Sequence, residues 1–120
     1  MIRGTVTDDG SPTILLPVAG RDWVAVIDTG FNGGLELPAA LRPYVNARFM
    51  MPLRYWLAGG QTVIQDTYEV AFPFDGRTVT AEATFVPGDT LLLGTALLRD
   101  YRLEVDFVAR TVRLERAAAP

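Results

Sequence analysis

One carboxylate in this chain stands where a carboxylate is costly. Asp28 follows five apolar residues, Trp23-Val24-Ala25-Val26-Ile27, and precedes Thr29 and Gly30. A carboxyl group at the end of an apolar strand needs donors to satisfy it or a proton to neutralise it. Thr29 offers a hydroxyl and Gly30 a backbone that turns sharply, so a tight loop can present Asp28 on a rigid support. The tripeptide alone fits a plain turn between strands equally well. What the chain lacks narrows the chemistry. It contains no Cys, no His and no Lys, and all eleven basic residues are Arg. Thiol nucleophiles, Ser-His triads, imidazole or thiolate zinc sites and Schiff-base lysines are thereby excluded. Acid–base work falls to carboxylates, with Tyr a remote second choice.

The elements that must position Asp28 are short strands. A chain of 120 residues forms one domain around one core; residues 1–116 are expected to fold, with 117–120 as a frayed tail. Eleven Gly and eight Pro favour turns and β-structure. The pattern predicts strands at Ile2–Thr7 and Thr13–Val18, and at Trp23–Ile27 the unbroken apolar run of a strand covered on both faces. The loop Phe31-Asn32-Gly33-Gly34 leads to a short strand at Leu35–Leu37. Pro38–Leu41 suits one helical turn, closed by Pro43. Residues 54–57 and 61–72 flank Ala58-Gly59-Gly60 as a glycine-tipped hairpin. Asp75-Gly76 turns the chain into Thr78–Val86. Leu91–Leu93 is a short buried strand ending at Gly94. Thr95 is expected to cap a helix running to about Tyr101, with Leu97 and Leu98 facing the core. A final hairpin joins Leu103–Val108 to Thr111–Glu115.

These pieces resemble the retropepsin-like aspartic proteases, the single-domain family of retroviral and bacterial enzymes. The likeness rests on Val26-Ile27-Asp28-Thr29-Gly30, on the later Leu91-Leu92-Leu93-Gly94, and on the glycine-tipped hairpin between them. The stretch from Phe31 to Pro38 and the run Thr95-Ala96-Leu97-Leu98, with Tyr101-Arg102-Leu103 after it, look more bacterial than viral. The resemblance implies an all-β closed barrel with one or two short helices, one lobe per chain. It also implies a homodimeric endopeptidase, since peptide hydrolysis needs two carboxylates about one water and the chain has one Asp-Thr-Gly. Asp28, Thr29 and Gly30 would then be the catalytic loop, with Leu93 and Gly94 packed beneath it. Phe31, Asn32, Trp56, Ala58, Gly59 and Gly60 would meet an extended peptide, the hairpin closing as a flap. The terminal strands would join the subunits. Two departures stand out: Phe31-Asn32 replaces the usual Ala-Asp, and Thr95 replaces an Arg, so an acidic–basic pairing of the family is absent.

No cofactor and no metal is expected, because no carboxylate spacing resembles an oxygen-cage loop. The net charge of −3 and the scattered arginines argue against a nucleic-acid partner. No apolar run reaches membrane-spanning length and the N-terminus lacks a signal-like segment, which points to a cytoplasmic protein. Two other readings compete. A peptide-binding or dimerisation module could keep this fold without turnover. A carboxylate-pair glycosidase would need two acids in one cleft, and the sequence offers one well-placed candidate.

Overall fold

The computed structural model describes residues 1–118. Ten strands dominate: β1 (Ile2–Val6), β2 (Pro12–Val18), β3 (Arg21–Ile27), β4 (Leu35–Pro38), β5 (Ala47–Trp56), β6 (Thr62–Phe74), β7 (Arg77–Val86), β8 (Leu91–Leu93), β9 (Tyr101–Asp106) and β10 (Thr111–Arg116). They form one sheet in the order β5-β6-β7-β4-β8-β3-β2-β1-β10-β9. Two 3-10 helices, Ala39–Tyr44 and Thr95–Leu97, complete the chain.

Hairpins account for most of this order, because consecutive antiparallel strands need only a short turn. The pairings of β4 with β7 and of β1 with β10 are not hairpins, and neither are the two pairings of β8. Strand β8 inserts between β3 and β4, consecutive strands that would otherwise be neighbours. Its ladder is parallel to β3 (Ala25↔Leu91, Ile27↔Leu93) and antiparallel to β4 (Leu35↔Leu93). The loop joining β3 to β4 must therefore cross the end of β8, and that loop carries Asp28.

The strands alternate, and one face of each lines the core. Ile14, Leu16, Ala25, Ile27, Leu35, Leu37, Leu91 and Leu93 are all buried, and the curled sheet brings Val70, Phe72, Val112 and Leu114 against them. The central strand β3 departs from expectation. Its core face is closed, but Val24 is 56% exposed and its cross-strand neighbour Leu15 is 59% exposed. The strand is thus covered on one face, not two, and an apolar second face lies open within the single chain.

Several expectations from pattern are corrected. The sheet does not close into a barrel: β5 and β9 remain its two edges. Pro52 removes a donor from β5, and Arg102, Glu104 and Asp106 line β9, features that suit unpaired edges. The helix expected from Thr95 to Tyr101 is a single 3-10 turn capped at Gly94, without a side-chain cap bond. From Tyr101 the half-buried residues fall every second position, and ladder pairing with β10 takes the chain instead. Pro43 lies inside the first 3-10 helix and does not close it. The terminal strands pair with each other inside the chain, Ile2↔Leu114 through Thr5↔Thr111, and β9 fills the other edge of β10. β5 is a ten-residue strand that the pattern did not reveal before Arg54, with a register shift between Phe49 and Met51. Of the expected tail, Ala117 donates its N–H to the Asp100 carbonyl at 2.7 Å; Ala119 and Pro120 lie outside the described residues. No helix among the described residues is long and apolar enough to cross a membrane.

The packing makes a contrast that denaturation can read. Leu114 is fully buried, so Leu114→Ala is expected to cost about 2–5 kcal/mol. Val108 is 98% exposed, and Val108→Ser should stay within about 0.5 kcal/mol of wild type in urea unfolding.

Candidate active site

Asp28 emerges where β3 ends, and its loop is tied down mainly by backbone hydrogen bonds. The Asp28 N–H donates to the Leu93 carbonyl at 3.0 Å, extending the β3–β8 ladder by one bond. The Gly94 N–H donates to the Gly34 carbonyl at 2.8 Å. The Thr95 N–H reaches the Phe31 carbonyl at 2.8 Å and the Ala96 N–H reaches the Gly33 carbonyl at 3.2 Å. Four bonds from one short segment thus hold the loop from both sides. Within it, the Gly30 N–H donates to the Asp28 carboxylate at 2.9 Å and the Phe31 N–H to the Asp28 carbonyl at 3.1 Å. An acceptor held by its own turn keeps a fixed orientation. Asp28 is half-buried, while Thr29 and Gly30 are exposed.

Gly94 is required by close approach. A Cβ there would overlap the Gly33 carbonyl oxygen and stand 2.7 Å from the Phe31 ring. Gly33 is under the same ring, where a Cβ would also meet it at 2.7 Å. Phe31 therefore packs its side chain over two glycines of the loop. The neighbouring departure from the family pattern is explained in part: Thr95 Oγ1 lies 3.5 Å from Asn32 Oδ1. The two positions still meet, as an uncharged contact.

The face of the sheet opposite the core gathers the other polar side chains. Register aligns Val26, Leu92 and Glu36 in one row across β3, β8 and β4, with Thr84 of β7 next to Glu36. Asp28 is two residues beyond Val26 and shares its side of the sheet. Glu36 is the acid that the sequence reading passed over. Its carboxyl is pushed above the ordinary value of 4.5, first by partial burial and then by the negative charge of Asp28. A usable signal was present: Glu36 sits between Leu35 and Leu37, so strand alternation sends it away from the core. Tyr55 joins from the hairpin. Its hydroxyl is raised above 10.0 by burial, then by the charges of Glu82 and Glu36. On the other flank a cavity of about 430 Å³ opens between the Thr7–Ser11 turn and Val24 and Val26.

The hairpin residues are less gathered. Trp56 is 75% exposed and alternates with Tyr55, so it faces the side away from Glu36. Ala58, Gly59 and Gly60 form the exposed tip, closed by the Leu57 N–H on the Gln61 carbonyl at 2.7 Å. Gly60 has φ of 80°, a value that favours glycine. Among the described residues no three carboxylates converge as a metal site requires.

No family model matches the sequence, and no curated protein matches it. Solved structures do. The simian foamy virus (mac) protease superposes with a TM-score of 0.55 at 25% identity, covering 70% of this chain and 88% of that one. A retropepsin-like aspartic protease from Rickettsia conorii gives 0.62 at 18% identity, over 94% of this chain and 88% of that one. The EIAV protease in complex with the inhibitor HBY-793 gives 0.60 at 20% identity, over 80% and 92%. The fold is that of the retropepsin-like aspartic proteases. Within that fold this chain has an open sheet and a single 3-10 turn after Gly94.

Two measurements probe this geometry. Gly94→Ala is expected to lower stability by about 1–3 kcal/mol or more, because backbone as well as the Phe31 ring must move; thermal unfolding reads it. Glu36 has a raised folded-state pKa, so its favourable share of stability is complete below 4.5 and is lost as pH rises through the folded value. Glu36→Gln should therefore melt above wild type at neutral pH and level with it below the ordinary glutamate value. Solvent screening at this half-open position keeps the neutral-pH gain under about 1 kcal/mol.

Proposed function

We propose that the chain is a homodimeric aspartic endopeptidase acting on extended polypeptides, with one Asp28 from each subunit at the reacting centre. The observation that carries this reading is the pinned Asp28 loop: a half-buried carboxylate, oriented by the Gly30 N–H, at the mouth of a strand shared with proteases of this fold. A single Asp28 cannot act as base and acid in one step. Two Asp28 side chains meeting across a two-fold axis could, because carboxylates ~3 Å apart share one proton and cannot both ionise.

In this reading the ionised Asp28 takes a proton from the attacking water as its oxygen bonds to the scissile carbonyl carbon. The protonated Asp28 hydrogen-bonds the carbonyl oxygen, which gains the displaced electron pair. Collapse of the tetrahedral species breaks the C–N bond, and a carboxyl proton passes to the departing nitrogen. No acyl-enzyme forms, in keeping with a chain that has no Ser-His or Cys-His pair. The exposed Thr29 is available to brace the facing loops. The hairpin from Arg54 to Gly60 is suited to close over substrate and exclude water. Phe31 and Asn32, which would meet the substrate, also support the loop through the Phe31 packing on Gly33 and Gly94 and the Asn32 contact with Thr95. The apparent pKa values of such a centre are those of the pair, and activity is expected on the acidic side of neutrality.

Asp28→Asn should abolish cleavage of a peptide library between pH 3 and 7 while leaving the sedimentation behaviour unchanged. A statine-type transition-state mimic should bind wild type far more tightly than a matched substrate. Persistent cleavage by Asp28→Asn, or full activity from a strictly monomeric protein, would overturn this assignment.

A further inference from the structure

On the reading of the Asp28 face as a hydrolytic cleft, which this inference rests on and deepens, we propose that Glu36 selects substrates carrying an arginine or lysine close to the scissile bond. The geometry comes from register. Glu36 lies in the same row as Leu92 and Val26, on the side of the sheet that bears Asp28. Strands ~4.8 Å apart and a rise of ~3.3 Å per residue separate the Asp28 and Glu36 backbones by roughly 12 Å. That is the span a long side chain covers when its backbone is held near the reacting centre. The path is apolar first and anionic at its end, since half-buried Val26 and Leu92 precede the Glu36 carboxylate. Arginine and lysine have the matching build, an aliphatic stem with a cationic head.

The Glu36 charge also lacks an ion-pair partner among the described residues, as does that of Glu82. Two arginines of neighbouring elements are engaged with other groups. Arg48 holds Glu69 at 3.2 Å, and Arg42 stacks 4.5 Å from the Tyr68 ring centroid. Tyr55 walls the far side, its hydroxyl within the field of both glutamates. A partly desolvated carboxylate with no cation of its own is best satisfied by a cation arriving with the ligand. In a two-fold symmetric dimer the second Glu36 repeats the preference on the other side of the scissile bond.

The test compares matched peptides in which a single arginine, placed in turn at each position flanking the scissile bond, is replaced by neutral isosteric citrulline. Wild type should favour arginine over citrulline in kcat/KM by about tenfold at one or more positions, the factor equivalent to ~1.4 kcal/mol. Glu36→Gln should bring that ratio close to one, and Glu36→Asp, which keeps the charge on a shorter stem, should retain part of it. Equal kcat/KM for both peptides at every position, or an unchanged ratio in Glu36→Gln, overturns the proposal while leaving hydrolysis by Asp28 standing. Binding of the same peptides to Asp28→Asn, with and without Glu36→Gln, reads the preference without turnover. An arginine preference there that disappears with Glu36→Gln supports the assignment even if wild type cleaves nothing, in which case only the hydrolytic reading falls. No preference in binding overturns it.

Discussion

The insertion of three leucines between two strands that are consecutive in sequence is the constraint on which the site depends. β3 and β4 are separated by a seven-residue stretch, 28–34, that would otherwise be a floppy glycine-rich connection. With Leu91–Leu93 lodged between the strands, the connection must arch over the end of β8. It then meets Gly94, Thr95 and Ala96, whose N–H groups are free because they begin a 3-10 turn. Donors left over from one element satisfy acceptors left over in another. The burial of Leu91 and Leu93 at 0% exposure fixes β8 in place, so apolar packing beneath the loop becomes hydrogen-bond geometry around Asp28.

Alternation gives the same strands a second task. Leu35, Leu37, Leu91, Leu93 and Ile27 face the core, so the intervening residues must face the other way. That second face holds Val24, Val26 and Leu92 beside Asp28 and Glu36. It is neither the polar exterior of an ordinary half-buried sheet nor a closed core. Leu15 and Val24, both more than half exposed, carry apolar surface that a monomeric fold has no structural reason to leave open. In the proposed enzyme this apolar surface would be the floor of a cleft, admitting substrate side chains and dismissing water around Asp28.

How much of this was legible in the residues depended on range. Asp28-Thr29-Gly30 could be read because its chemistry is local, and so could the strand cores, because alternation is written residue by residue. The lodging of β8 was visible only as three leucines before a glycine; its neighbours are chosen by tertiary packing. The same distinction explains the errors. Thr95–Tyr101 has acceptable helix formers, yet Tyr101, Leu103 and Val105 bury on a period of two and pair with β10, and long-range pairing outweighed weak local preference. Closure into a barrel depends on the edge strands β5 and β9 meeting, which no single motif specifies. Trp23–Ile27 looked covered on both faces because an apolar cleft floor and an apolar core have the same letters. Glu36 was legible in principle, since its parity sets it against the leucines on either side.

The charge arrangement follows from that last ambiguity. A face that is apolar around Asp28 raises the free energy of every anion placed on it, and Glu36 is such an anion. Its retention there would be a liability if the face only packed against water. The neutral Asn32–Thr95 contact bears on the same point, because the loop on the other side of Asp28 carries no compensating cation. Asp28 and Glu36 thus share a face, and among the described residues no ion pair involves Glu36, while Arg21, Arg42, Arg48, Arg110 and Arg113 are paired or stacked elsewhere. An electrostatic imbalance of this kind is relieved by a proton, by a cationic ligand or by both. In the proposed dimer a carboxylate pair would make use of the first, and the row from Val26 through Leu92 to Glu36 would serve the second.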